Sequence, residues 1–153
     1  QREYGEKAVT KIVEQWGINM DNVTLYDGSG LSRTNRMTPL FLASVLRSAA
    51  LDWQTGDLFP TLLPRCGVDG TVRNLLKGTC LSGNIALKSG SMTGVRCYAG
   101  YYPAERPRYS VVLLTNNFHC TYEQLKSSIE RLMVGMFESY QDTIDKRQNT
   151  PQL

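Results

Sequence analysis

A chain of 153 residues, 41% hydrophobic and 20% charged, suits one domain of ordinary globular composition. No apolar run approaches the roughly 20 residues a membrane helix needs. The net charge is +3, from 17 basic and 14 acidic residues. The basic residues are scattered, so the excess makes no case for a nucleic-acid partner and none is expected, while leaving room for small anionic groups.

Residues 3–16 read as a helix, with Ala8, Ile12 and Trp16 recurring every four and Gly17 as a stop. The segment 23–26 reads as a short strand that enters a turn rich in Asp and Gly, "DGSG". At its start Asn22, Val23 and Thr24 form a glycosylation sequon, informative only in a eukaryotic host. Thr38-Pro39 starts a second helix, a hydroxyl cap followed by proline where the missing N–H costs nothing. That helix runs to about Leu51. Its polar residues Ser44, Arg47, Ser48 and Asp52 share one stripe, so it is expected to be largely buried.

Residues 53–83 carry Gly, Pro and short polar turns, with one brief helix expected at 72–76. Three strands follow, at 85–89, 95–102 and 109–115. The third is almost continuously apolar, as in an interior strand. The loop "PAERPR" makes the last two a hairpin. Thr121 with Gln124 forms a capping box for a final helix. Its stripe is Tyr122, Leu125, Ile129, Leu132, Met136 and Tyr140, with Met133 and Met136 as core filler. A tail from Lys146 is expected to be disordered. The fold class is therefore α+β, an antiparallel sheet with helices packed on it, over residues 1–145.

Cys66, Cys80, Cys97 and Cys120 have no C-x-x-C spacing, so a zinc site is not expected. They read either as buried thiols or as one or two disulfides in an oxidising compartment. No signal peptide is visible. A chain opening on Gln1 is expected to be processed or excised from something longer.

The chemistry concentrates in "LKSGSMTGVRCYAGYY". At a strand terminus, Lys88 supplies a positive charge beside a pocket, and the Ser89 hydroxyl donates to a carboxylate or oxyanion. Gly90 keeps the strand bare, so that a substrate backbone can pair with it. The Ser91 N–H can point at a developing negative oxygen. Arg96 alternates outward on its strand and can add positive potential near Lys88. Taken alone, the tripeptide also reads as an exposed strand end.

Three blocks in order, "DGSGLSRTN" (27–35), "DGTV" (69–72) and "KSGSMTGVRCYAGY" (88–101), resemble the C-terminal part of the low-molecular-mass, class C penicillin-binding proteins. These are serine-type D-alanyl-D-alanine carboxypeptidases and endopeptidases, and the Lys-Thr-Gly element belongs to penicillin-recognising enzymes generally. The resemblance spans roughly residues 3 to 140. It implies part of a penicillin-binding-protein or β-lactamase-like transpeptidase fold. It also implies periplasmic or extracytoplasmic action on peptidoglycan stem peptides, inhibition by β-lactams, and no metal or cofactor. Carried over by motif position, Lys88 becomes the electrostatic wall, Ser89 the hydroxyl on the substrate carboxylate, Gly90 the bare position and the Ser91 N–H an oxyanion donor.

The departures are equally informative. None of lysines 7, 11, 77, 88, 126 and 146 has a serine three residues before it, so Ser-x-x-Lys, the nucleophile motif, is absent. Ser82-Gly83-Asn84 fits Ser-x-Asn but lies too close to Lys88, and is taken as coincidence. The chain thus reads as a C-terminal piece, shortened by excision, proteolysis or evolution and inactive alone. The alternative is a degenerate, non-catalytic peptide- or protein-binding module. Loss of N-terminal strands is expected to leave an apolar sheet edge prone to self-association or to pairing with the missing portion. Asp27, Ser29 and Arg33 read as turn chemistry, His119 as a surface or helix-entry residue, and Trp16 and Trp53 as core or edge packing.

Overall fold

The computed structural model describes residues 2–148, with side chains described for residues 5–138. Helix α1 (Arg2–Gln15) and helix α2 (Pro39–Leu51) precede strands β1 (Ala86–Met92), β2 (Val95–Tyr102) and β3 (Tyr109–Asn116), and helix α3 (Tyr122–Gln148) closes the chain. Two 3-10 turns, Phe59–Leu62 and Gly70–Val72, punctuate the segment between α2 and β1. The turn at Gly70–Val72 meets the brief helix expected at 72–76 only at Val72, and 73–76 are turn and bend. The strand expected at 23–26 is reduced to one bridge, with Thr24 and Arg36 exchanging backbone hydrogen bonds of 2.8 and 2.9 Å.

The three strands form one antiparallel sheet in the order β1-β2-β3. Pairing runs from Ala86 opposite Tyr101 to Met92 opposite Val95, and from Val95 opposite Asn116 to Tyr102 opposite Tyr109. Directly opposed residues share a face. One face carries Leu87, Tyr98, Tyr102, Val111 and Leu113, and packs with Leu125, Ile129 and Met133 of α3 into the main core. The Tyr102 and Phe137 rings meet there at 4.3 Å. The other face meets α2: the Tyr101 hydroxyl donates to the Leu46 carbonyl at 2.6 Å, and Phe59 meets the Tyr101 ring edge-on at 6.4 Å.

The caps are those the residue types dictate. Thr38 Oγ1 accepts from the Phe41 N–H at 3.0 Å, and at α3 Thr121 and Gln124 satisfy each other reciprocally, at 3.0 and 3.3 Å. Several packing expectations need correction. Among the described side chains of α1 the buried one is Val13, while Ala8 and Ile12 are exposed and Trp16, just beyond the helix, is half-buried. In α2 only Phe41, Leu46 and Ala49 are buried, because the sheet covers one side of it and nothing described covers Leu40 or Leu51. The inward stripe of α3 is Leu125, Ile129 and Met133, whereas Leu132 and Met136 flank it in the open. Tyr140 lies outside the described side chains. Trp53 is 88% exposed, not packed. Among the described residues β3 pairs on one side only, so it stands at the sheet edge where an interior strand was expected. Helix α3 is continuous to Gln148, through the start of the expected tail, and residues 149–153 lie outside the described residues. The cysteines are free thiols, Cys66 buried and Cys80 and Cys120 exposed. Burial pushes the Cys66 thiol up to about 12, with the Asp69 charge adding to it.

Candidate functional site: the open edge of the first strand

The first half of the outer edge of β1 is closed and the second half is open. Leu87 donates its N–H to the Pro64 carbonyl, and Ile85 accepts from the Cys66 N–H, each at 2.9 Å, so residues 64–66 cover the strand as far as Leu87. In an antiparallel strand the N–H and C=O of alternate residues point to the same edge. Leu87 faces outward, and the register runs unbroken to Met92, so Ser89 and Ser91 also turn their backbone groups outward. No described backbone pairs with them there. The Ser91 N–H stands at this open edge.

Side chains complete the picture. Lys88 is exposed, and its ammonium bends to the same edge, where Nζ donates to the Ser89 carbonyl at 2.6 Å. The Ser89 hydroxyl lies 2.7 Å from Thr71 Oγ1, brought there by the Gly70–Val72 turn. Gly90 is exposed, and a Cβ added to it would sit 3.7 Å from the Cys97 Cβ, an ordinary contact. The fold therefore has no need of glycine at position 90. Gly100 is the opposite case: a Cβ there would fall 2.0 Å from the Ala86 carbonyl oxygen, so close passage of β2 past β1 demands glycine.

Arg96 departs from its expected position. It is opposite Ser91, on the α3 face of the sheet, whereas Lys88 alternates to the α2 face. Its guanidinium lies 4.3 Å over the Tyr122 ring and Nε is buried, so it braces the start of α3. Burial, reinforced by Tyr122, pushes the phenol of adjacent Tyr98 upward.

The Asp27 loop is a hydrogen-bonded turn. Asp27 Oδ1 accepts from the Gly30 N–H at 2.9 Å and from Asn35 Nδ2 at 3.0 Å, Asn35 Oδ1 accepts from the Tyr26 N–H at 2.7 Å, and Ser29 Oγ accepts from the Leu31 N–H at 3.3 Å. Desolvation works to raise the Asp27 pKa, but hydrogen bonds from Asn35, Gly30, Ser29 and Ser32 outweigh it and hold the carboxyl below its usual range. Arg33 is exposed beside the turn, and His119 is exposed in the loop before α3. Ser82 and Asn84 lie in the turn ahead of β1, apart from its open edge. Thr71 and Asn35 are the residues that sequence reasoning passed over. Thr71 sat inside the quoted "DGTV" block, and Asn35 closed the "DGSGLSRTN" block.

The sheet with its flanking helices matches solved penicillin-binding proteins. Penicillin-binding protein 4 (dacB) from Haemophilus influenzae, complexed with a novel β-lactam, aligns over 90% of this chain and 33% of its own, with a TM-score of 0.74 and 29% identity. A second structure of that protein aligns over 78% of this chain with a TM-score of 0.68 and 34% identity. The architecture is thus part of a penicillin-binding transpeptidase fold.

The sequence profile of the D-Ala-D-Ala carboxypeptidase 3 (S13) family matches residues 2–139, and the chain belongs to that family. It is 35% identical over 136 residues to the D-alanyl-D-alanine carboxypeptidase DacB of Haemophilus influenzae, which covers 88% of this chain and 28% of that protein. The D-alanyl-D-alanine carboxypeptidase of an Actinomadura species is 30% identical over 73% of this chain and 22% of its own length. The chain therefore spans about a quarter of the length of these relatives. No helix among the described residues is long and apolar enough to cross a membrane.

Proposed function

We propose that this chain is the substrate-edge portion of a serine-type D-Ala-D-Ala carboxypeptidase that acts on peptidoglycan stem peptides outside the cytoplasmic membrane and is inhibited by β-lactams. The observation that carries the reading is the short open stretch of β1, where a lysine ammonium, a serine hydroxyl and an unpaired N–H converge on one strand edge. A peptide ending in D-Ala-D-Ala would add to this edge as a strand. Ser89 and Lys88 would hold its terminal carboxylate, one by a charge-assisted hydrogen bond and the other by field. The Ser91 N–H would be a donor to the oxygen that gains charge when the scissile carbonyl becomes tetrahedral.

The attacking serine and its base are not on this chain, which has no Ser-x-x-Lys. The reading therefore separates binding from turnover: the chain contributes one wall and performs no acyl transfer alone. Nuclear magnetic resonance titration with acetyl-D-alanyl-D-alanine is expected to shift the amides of Ser89, Gly90 and Ser91. Lys88→Gln and Ser89→Ala are each expected to weaken the effect about tenfold, the worth of one charge-assisted contact. Incubation with a fluorescent penicillin is expected to leave the chain unlabelled, and covalent labelling would refute the division of labour.

The missing nucleophile motif also favours a second reading, a non-catalytic module that holds peptide ends. Ser-x-x-Lys and Ser-x-Asn encoded ahead of Gln1 in the parent gene would decide for the enzyme.

A further inference from the structure

The Gly70–Val72 turn is held on each side of Thr71. Asp69 Oδ1 accepts from the Arg65 N–H at 2.8 Å. Gly70 has φ +56, and a Cβ on it would stand 2.8 Å from the Pro64 Cβ. Val72 is fully buried, and its carbonyl accepts from the Gly67 N–H at 3.1 Å. The one side chain this locked turn sends to β1 by a hydrogen bond is Thr71, to Ser89 Oγ at 2.7 Å. Threonine is stiff about χ1, so its hydroxyl is a fixed point, while an unsupported serine on a strand edge moves among staggered rotamers.

Proton counting sets the direction of that bond. Each hydroxyl has one proton to give and two lone pairs to receive with, and a carboxylate only receives. If Ser89 gives its proton to a peptide carboxylate, the short contact to Thr71 persists only with Thr71 as donor. Ser89 then receives from Thr71 and gives to the ligand, and a chain of this kind strengthens its outer bond.

We infer that Thr71 is a positioning residue that fixes the Ser89 hydroxyl for a ligand carboxylate by donating a hydrogen bond to it. The ligand half of this rests on the edge-binding reading above. The rotamer half does not, so the two can fail separately.

The experiment measures χ1 couplings of Ser89 in the unliganded wild-type chain, in Thr71→Val and in Thr71→Ser, then titrates each with acetyl-D-alanyl-D-alanine. A single Ser89 rotamer is expected in the wild type and in Thr71→Ser, with averaging in Thr71→Val. Thr71→Val is expected to weaken dipeptide binding about fivefold to tenfold, the worth of one hydrogen bond, and Thr71→Ser to restore it. Adding Thr71→Val to Ser89→Ala is expected to cost nothing more, because the two act through one group. One unchanged Ser89 rotamer in Thr71→Val overturns the inference. So does an additive loss in the double variant, which would mean that Thr71 touches the ligand itself. A dipeptide that leaves the β1 amides of the wild type unmoved sinks the edge-binding reading, while the couplings still decide the role of Thr71.

Discussion

At the scale of single residues, the sheet and α2 are joined by a phenol. Tyr101 is almost fully buried, and its hydroxyl reaches the Leu46 carbonyl at 2.6 Å. Burial pushes its pKa up to about 12, against an ordinary value of 10. A folded-state pKa raised above the unfolded one means stability that is whole below pH 10 and is lost as pH climbs through 12. Cys66, raised from 9.0 to about 12, adds to the same decline from a lower starting pH. Urea unfolding from pH 8 to 12 is expected to show a steeper fall for the wild type than for Tyr101→Phe. The variant is expected to begin about 1 kcal/mol less stable, having lost one hydrogen bond. A wild-type stability flat to pH 12 would disprove the assignment. The Tyr101 contact was not legible in the sequence: an alternating strand shows which face a tyrosine takes, not what its hydroxyl will meet. Lys88, Ser89 and Ser91 could be singled out from the sequence because they are neighbours in the chain, and their part in binding belongs to the proposal above. Thr71, 18 positions away, came into view only when the turn folded back. Arg96 was misplaced because alternation within one strand does not fix its register against the next: it falls opposite Ser91, on the face away from Lys88, where Tyr122 claims it.

At the scale of elements, α3 is tied to the loop ahead of β1 by one carboxylate. Glu130 Oε1 accepts from the Leu76 N–H at 2.6 Å and pairs with Lys126 at 3.0 Å. Leu76 is fully buried with φ +59, a conformation that costs a non-glycine residue energy and holds only where its surroundings insist. Glu130→Ala is expected to lower stability by about 2 kcal/mol, the range for a hydrogen bond to a charged group, as read by denaturant midpoint. The two β-strand glycines make a sharper pair. Gly100→Ala places a methyl group 2.0 Å from the Ala86 oxygen and is expected to abolish the folded sheet, seen as loss of the cooperative transition. Gly90→Ala meets only ordinary contact and is expected to fold with a midpoint within about 1 kcal/mol of wild type while losing dipeptide binding. A folded Gly90→Ala that binds normally would remove any role for a bare strand. Strands β2 and β3, the hairpin, both capped helix starts and α1 were readable because caps, alternation and turn residues act locally. Which side of α1 or α3 would be covered was not, since that depends on distant partners: Val13 is buried in place of Ile12, and of the two methionines read as core only Met133 is.

At the scale of the whole molecule, β3 has the composition of an interior strand and the position of an edge one. Its run Ser110-Val111-Val112-Leu113-Leu114 pairs with β2 on one side and with no described strand on the other. Beside that edge an apolar hollow of about 310 Å³ lies between β3 and α3, lined by Val111, Leu113, Leu132, Met133, Met136 and Phe137. Leu132 and Met136 are 53% and 61% exposed at its rim. An edge that offers both free backbone groups and apolar surface recruits a strand from elsewhere, and natural edges are normally blunted by charge, proline or a bulge. Here the run from Ser110 to Leu114 contains none of the first two, and its register with β2 is continuous. Since the chain spans about a quarter of its relatives' length, the proposed natural occupant is the remainder of the same protein. A second copy would take its place when this chain is alone. Light scattering is therefore expected to show mass rising with concentration. Leu132→Glu with Met136→Glu is expected to shift the balance to monomer without loss of stability, because neither side chain is buried. Adding in trans the part of a relative that this chain does not span is expected to dissolve the self-associated form and, on the reading of β1 as one wall of a cleft, to give labelling by a fluorescent penicillin. A clean monomer at millimolar concentration would mean that the β3 edge is closed by the chain's own residues, and the case for an absent strand would fall with it.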